Sequence, residues 1–334
     1  VSAVYAASPV KRRRSTRAEL AAVDDAIIDA VETEHPVTLR GVFYRVVSAG
    51  AIEKTENGYD LIGRELLKLR RARAIRYDWI TDGTRWINKP DSYDDLDQML
   101  EDAAASYRRA LWRDQSAEVQ IYSEKDAISG VVLPVTHRWD VPLGIVRGYS
   151  SETFAWSVAQ SIIDAARRGK DRIWIYQLGD HDPSGVDAWR SFRERVCGFL
   201  LEEHRALYEH MTAAAPGVYS EDGYPRAYEF GTESSCTFSA GKQIATADFQ
   251  RLAVTEQQIY DLDLPTRLTK RSDTRVAGFG DGGSVEVDAI PPTILRQIVE
   301  DAITQHIDAH QLEITQVYER SEREILTSMI GDHQ

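Results

Sequence analysis

From Thr16 onward the apolar positions recur at helical spacing, with Leu20, Val23, Ile27, Ala30 and Val31 on one stripe until His35-Pro36 interrupts it. Thr16-Arg-Ala-Glu19 has the spacing of a capping box, so a first helix is predicted here. After Pro36, Thr38 is placed to cap a second helix whose Leu39, Val42, Phe43, Val46 and Val47 form an apolar face that Gly50 closes. Arg40 and Tyr44 lie one turn apart on it, off that stripe. Residues 59–74 predict a third helix, with Leu61, Ile62, Leu66 and Leu69 apolar and Arg64, Lys68, Arg70, Arg71 and Arg73 basic. IRYDWITDGTRWI follows, in which large residues flank Asp82-Gly83, a strong short-range hairpin signal.

Helix, helix, basic helix and hairpin in that order make a winged helix-turn-helix over residues 16–90, behind a basic arm at 1–15 that holds Lys11 to Arg14. The basic side of the third helix suits a DNA backbone, although an Arg-rich helix is also what a solvated face looks like. Pro90 marks a boundary. Tyr93, Leu96, Met99, Leu100, Ala103 and Tyr107 keep helical spacing across a connecting helix at 91–117, with acids early and arginines late. Three apolar runs then suit buried strands, at 119–123, 143–146 and 172–178, with helical stretches around 126–138 and 151–168 between them. The economical assignment is β-α-β-α-β with a parallel sheet, an α/β fold. Residues 292–334 predict one or two closing helices.

Charge divides the chain. The net charge is −13, yet residues 1–89 hold 16 Lys and Arg against 12 Asp and Glu, and the remainder holds 24 against 41. A basic front end on an acidic body argues against a protein that coats nucleic acid indiscriminately, while leaving local phosphate binding open. Apolar stretches are interrupted before membrane-spanning length, and VSAVYAASPV precedes its basic cluster, so the expectation is a cytoplasmic chain. Cys197 and Cys236 are the two cysteines, too few for a disulfide framework or a four-cysteine zinc site.

The candidate chemistry sits where the predicted strands end. Glu124 closes the first in YSEKDAISG, and Asp180 and Asp182 follow the third in YQLGDHDPSG. Open parallel sheets carry their sites at the carboxyl ends of strands, so the three carboxylates are expected to converge. Mg2+ suits such a group because it takes oxygen ligands and keeps positions open for phosphate. Read blandly, Asp182-Pro-Ser-Gly is a turn and helix cap. Glu286 and Asp288 in VEVDAI are read as an exposed strand edge, with extra metal ligands as the alternative. His306 and His310 stand four apart on a predicted helix but lack a metalloprotease glutamate between them. His181 either avoids the metal or touches phosphate, Arg147 either contacts DNA or pairs with an acid, and GFGDGG (278–283) reads as a turn because it lacks the Lys-Ser/Thr of a P-loop.

The pattern of Glu124 with GDHDPSG resembles a Toprim domain, and RGVFY (Arg40 to Tyr44) in a winged helix upstream of it resembles the A subunit of type IIB topoisomerase (topoisomerase VI) and the related meiotic double-strand-break transesterase. The likeness spans about residues 38–190 and keeps the order winged helix, tyrosine, glutamate, Asp-x-Asp. It implies a Toprim-like metal-binding domain over 118–291, with Tyr44 as the nucleophile on double-stranded DNA and Arg40 on the same phosphate. It also implies that Asp180 and Asp182 hold Mg2+ (or Mn2+), and that Glu124 acts as metal ligand or general acid/base. A homodimer with composite sites, nucleoid association and a GHKL-type ATPase B subunit as partner belong to the same implication. Residues after 190 do not follow the family, and the chain is compact for it. The alternatives are a hydrolytic Toprim nuclease and a non-enzymatic winged-helix regulator.

Overall fold

A computed structural model describes residues 16–81, 90, 92–214, 234–240, 243–266 and 283–331. The basic arm with Lys11 to Arg14, the hairpin tip at Asp82-Gly83 and residues 278–282 of the Gly-rich stretch lie outside the described residues. Two compact units are present, Val1–Ile80 and Thr81–Gln334.

The first unit contains α1 (Arg17–Glu34), α2 (Leu39–Ser48) and α3 (Glu56–Arg71). Thr16 and Glu19 form the expected capping box, and Pro36 ends the first helical run. α3 begins three residues earlier than its apolar stripe suggests because Thr55 caps it, its hydroxyl accepting from the Gly58 N–H at 3.0 Å. Ile27, Val31, Val42, Val46, Ile62 and Leu66 are buried together, each burial contributing about 1.5–3 kcal/mol relative to exposure. Where a first hairpin strand was expected, Tyr77–Trp79 instead make a 3-10 turn. Ile80 then bridges Val37 and Trp79 stacks on His35 at 4.5 Å, so local aromatic packing overrides the strand pattern.

Thr38 is buried at the start of α2, and its hydroxyl accepts the Gly41 N–H at 2.8 Å. Gly41 is required there: a Cβ would lie 2.8 Å from Val37 Cγ2. Thr38→Ala is expected to cost about 1 kcal/mol, read as a lower urea midpoint at unchanged slope.

The second unit is mixed α/β, built on a five-stranded, mostly parallel sheet. Its elements run α4 (Leu96–Ser106), β1 (Ala117–Ser123), α5 (Asp126–Arg138), β2 (Leu143–Ile145), α6 (Glu152–Arg167), β3 (Arg172–Leu178) and α7 (Pro183–Ala214). They continue β4 (Ser235–Ala240), β5 (Gln243–Ala253), α8 (Glu256–Asp261), α9 (Pro292–Thr304) and α10 (Ala309–Gly331). Strand order is β2-β1-β3-β5-β4, parallel except for the β4–β5 pair. Ile173 and Ile175 of β3 pack in one core with α6 and α7, while Trp174 and Tyr176, one residue out of phase, meet His306 after α9.

The connecting helix is shorter than expected. It ends at Ser106 because the next residues are tied to α10: the Tyr107 hydroxyl donates to Glu322 at 2.6 Å and the Arg109 guanidinium pairs with Glu322 at 2.6 Å. His306 and His310 do not share a helix, since α9 closes at Thr304 and α10 opens at Ala309. His306 stacks on Trp174 at 4.5 Å and shares a 2.8 Å hydrogen bond with the Tyr176 hydroxyl. Burial, then the charge of Arg172, holds its pKa below the usual histidine value. The unfolded chain therefore takes up this proton first, so the contribution is present above about pH 6.5 and is lost as pH falls below it. The urea midpoint of the wild type is expected to drop more between pH 7.5 and 5.5 than that of His306→Gln. No described helix is long and apolar enough to cross a membrane.

Candidate active site

The strand order sets the site. The chain leaves β1 for β2 on one side and returns as β3 on the other, so the carboxyl ends of β1 and β3 form a topological switch point, the place where ligands bind in open α/β sheets. Ser123 lies opposite Leu178, and the Glu124 N–H donates to the Leu178 carbonyl at 2.9 Å. That register places Glu124 beside the loop carrying Asp180 and Asp182 despite their distance in sequence. The Asp180 N–H lies 3.3 Å from Glu124 Oε2, and Asp182 Oδ1 accepts the Gly185 N–H at 2.7 Å, opening α7.

Two glycines lie close to these carboxylates. A Cβ at Gly185 would lie 2.6 Å from the Asp180 carbonyl and 3.0 Å from Glu124 Oε2, and one at Gly179 would lie 2.9 Å from the same Glu124 oxygen. The tightest contacts of those Cβ atoms would be the Asp180 backbone carbonyl at Gly185 and the Gln177 amide, 2.6 Å away, at Gly179, with Glu124 next in both cases.

A second acidic segment reaches the same place. His181 and Val285 exchange both backbone hydrogen bonds, at 2.8 and 3.0 Å, and the Val287 N–H donates to Asp180 Oδ1 at 2.9 Å. Glu286 and Asp288 are therefore drawn inward on a 3-10 turn, and the expected exposed strand edge is corrected: the Asp288 side chain is 1% exposed. Lys125 stands among these acids, its Nζ 2.8 Å from Asp180, 3.1 Å from Glu286 and 3.3 Å from Asp288.

Electrostatics follow from this crowding. Burial, then the charge of Asp180, pushes the Glu124 carboxyl up from its ordinary value. Burial also raises Asp180, against the opposing pull of Lys125. At Lys125 burial disfavours the charge, but Asp180, Asp288 and Glu286 outweigh it and the ammonium is stabilised. His181 is held below the usual histidine range by burial and then by Arg251.

Arg251, on β5, carries no signal in the sequence reading. Its guanidinium donates to the carbonyls of Gly179, at 3.0 Å, and of Asp180, and its Nε to the Val254 carbonyl at 3.0 Å, fixing the loop from behind. Burial lowers its pKa while Glu124, Asp180 and Asp182 oppose that fall. Arg147 pairs with Asp126 at 2.9 Å, the structural side of its two readings.

The donor set fits a hard divalent cation. The acids are the hard oxygen donors such a cation takes, and Glu124 makes no ion pair among the described residues, whereas Asp180 already pairs with the Lys125 ammonium at 2.8 Å. Among the described residues no group of three or more His, Cys, Asp or Glu side chains is arranged to hold a metal ion, so these carboxylates are neighbours and not a formed metal site. Cys197 and Cys236 are buried free thiols elsewhere in the core.

Tyr44 and Arg40 belong to the first unit. Arg40 is exposed, with its guanidinium 5.7 Å from the Tyr59 ring. Tyr44 was expected off the apolar stripe, yet it is 3% exposed, packed on Phe43 with Lys54 Nζ 5.1 Å from its ring. α2 is buried through Gly41, Val42, Phe43, Tyr44 and Val46, which leaves little of it to solvent. Of the basic group, Arg64, Arg71 and Arg73 are exposed. Lys68 is paired with Asp24 at 2.9 Å and Glu65 at 2.6 Å, and Arg70 covers the Tyr77 ring at 4.4 Å. Those two also serve the fold.

A separate cleft of about 710 Å3 opens near the amino ends of the strands, lined by Trp112, Glu118, Arg168 and Lys170 among others. Within it Arg168 pairs with Glu118 at 2.7 Å, and the buried Lys170 donates to the carbonyls of Trp112, Arg113 and Gln115. Comparison of the chain with known family models, curated proteins and solved structures finds no match.

Proposed function

We propose that this protein cleaves double-stranded DNA in a divalent-cation-dependent reaction, with a winged-helix front end that binds the duplex and a Toprim-like body that holds Mg2+ or Mn2+. The observation that carries the reading is the meeting of Glu124, Asp180 and Asp182 at the switch point between β1 and β3. A bound Mg2+ supplies Lewis-acid stabilisation of charge on the phosphate oxygens. Asp180 and Asp182 hold the cation, and Glu124 either joins them or moves the proton. Exposed Arg64, Arg71 and Arg73 contact the DNA backbone.

In the leading reading Tyr44 is the nucleophile. Its phenolic oxygen gives up its proton and forms a bond to a DNA phosphorus, the bond from phosphorus to the 3′ oxygen breaks, and that oxygen leaves after taking up one proton in exchange. The 5′ phosphate is then joined to protein. Arg40, one turn away on α2, neutralises charge on the same phosphate. A phenol with a pKa near about 10 is a poor nucleophile at neutral pH, so it needs this help. A homodimer with sites shared between subunits, and a GHKL-type ATPase partner, belong to this reading.

One observation favours a second reading. Tyr44 is almost wholly buried, as a packing residue would be, and a hydrolytic nuclease acting through water would use the same carboxylates without the Tyr44 hydroxyl. Transfer of label from an internally 32P-labelled duplex distinguishes them. Radioactive protein on a denaturing gel supports transesterification, and released fragments with unlabelled protein support hydrolysis. Intact duplex with unlabelled protein contradicts cleavage.

A further inference from the structure

We propose that Lys125 is a built-in cation that takes the place of a second divalent ion beside Glu124, Asp180 and Asp182, so that the protein works with one bound metal ion per site. The proposal rests on the metal-dependent reading above and specifies its stoichiometry. Its basis is geometric. The three acids around Lys125 come from two chain segments far apart in sequence, yet they meet one nitrogen at 2.8, 3.1 and 3.3 Å. An ammonium has three N–H donors, and here three carboxylates receive it.

The oxygen cage does not depend on the lysine for its assembly. The His181–Val285 bridge and the Val287 N–H bond to Asp180 Oδ1 at 2.9 Å already fasten the acidic segment to the loop between β3 and α7. With the lysine removed, Asp180, Glu286 and Asp288 would remain as three carboxylates around one point, the hard oxygen donors a divalent ion takes. With it present, that point carries a tethered positive charge, and a divalent ion there would meet repulsion at close range. Asp180 links the two groups: its backbone N–H faces Glu124, while its carboxylate accepts the Val287 N–H through Oδ1 and meets Lys125 through Oδ2. Lys125 is thus a positioning residue that orients a metal-binding carboxylate and restricts the site to one ion.

Equilibrium titration of the full chain with Mn2+, read by the free-ion electron paramagnetic resonance signal, tests this without any reaction. Wild type and Lys125→Arg are expected to bind one Mn2+ per chain, Lys125→Ala two, and Lys125→Ala/Asp288→Asn one again. Mn2+ is also expected to raise the Tm of Lys125→Ala more than that of wild type, a readout that holds even if the variant is only marginally folded without metal. Two ions on wild type would overturn the proposal while leaving the metal site standing. A single ion on Lys125→Ala with native circular dichroism would overturn it equally and reduce Lys125 to a structural ion pair. No ion on wild type would remove the metal-dependent reading itself, and the proposal with it.

Discussion

Asp180→Asn is expected to abolish DNA cleavage, lowering the rate by about 10^3-fold or more, the scale of a lost metal contribution of roughly 4 kcal/mol. Asparagine is the informative replacement because Oδ1 accepts the Val287 N–H at 2.9 Å and Oδ2 faces Lys125 at 2.8 Å. The amide keeps the first contact and removes the charge. Alanine removes both and frees the acidic segment, so its loss of activity would mix chemistry with local unfolding. Duplex binding, measured by fluorescence anisotropy, is expected to survive Asp180→Asn, since the proposed backbone contacts belong to the other unit. Loss of binding and cleavage together would place Asp180 in the scaffold instead.

Tyr44→Phe carries the second large effect. It deletes one oxygen while keeping the ring that packs on Phe43 at 5.4 Å, so the fold should persist. Protein-linked DNA is expected to disappear completely, because no other group can take the role of the attacking phenol in this mechanism. Free DNA ends made by Tyr44→Phe at the wild-type rate would transfer the reaction to hydrolysis. In that case the near-complete burial of Tyr44 is its whole explanation. Under transesterification, α2 must instead loosen enough on DNA to present the hydroxyl.

Much of the parallel core was legible because each element had a strong local signal. Val119, Ile121, Ile173 and Ile175 are buried strand residues in short apolar runs, and Thr16 and Thr38 are helix caps written in one or two residues, whereas the Thr55 cap was missed. Glu124, Asp180 and Asp182 could be anticipated at one place because parallel strands bring their carboxyl ends to the same edge. β4 and β5 escaped the sequence reading for a physical reason. Their inward residues, Cys236, Phe238 and Ala240 on β4 and Ala245, Ala247 and Phe249 on β5, alternate with polar ones and are mostly small, so neither strand produces a hydrophobic run. Arg251 was missed with β5, and it secures the loop through carbonyls, contacts that leave no pattern in side-chain spacing. Glu286 and Asp288 looked like a strand edge because alternation in VEVDAI mimics one. Only the long-range bridge of Val285 to His181 turns them toward Lys125. Tyr44 shows the converse limit, since spacing on a helix gave no warning that its outer side would be covered.

The most direct test of the account is incubation of the purified chain with supercoiled plasmid and Mg2+, stopped with detergent and run with and without protease. The expected result is nicked or linear DNA that vanishes with chelator, with ends that enter the gel freely only after protease treatment. Plasmid left fully supercoiled in both Mg2+ and Mn2+ would contradict it.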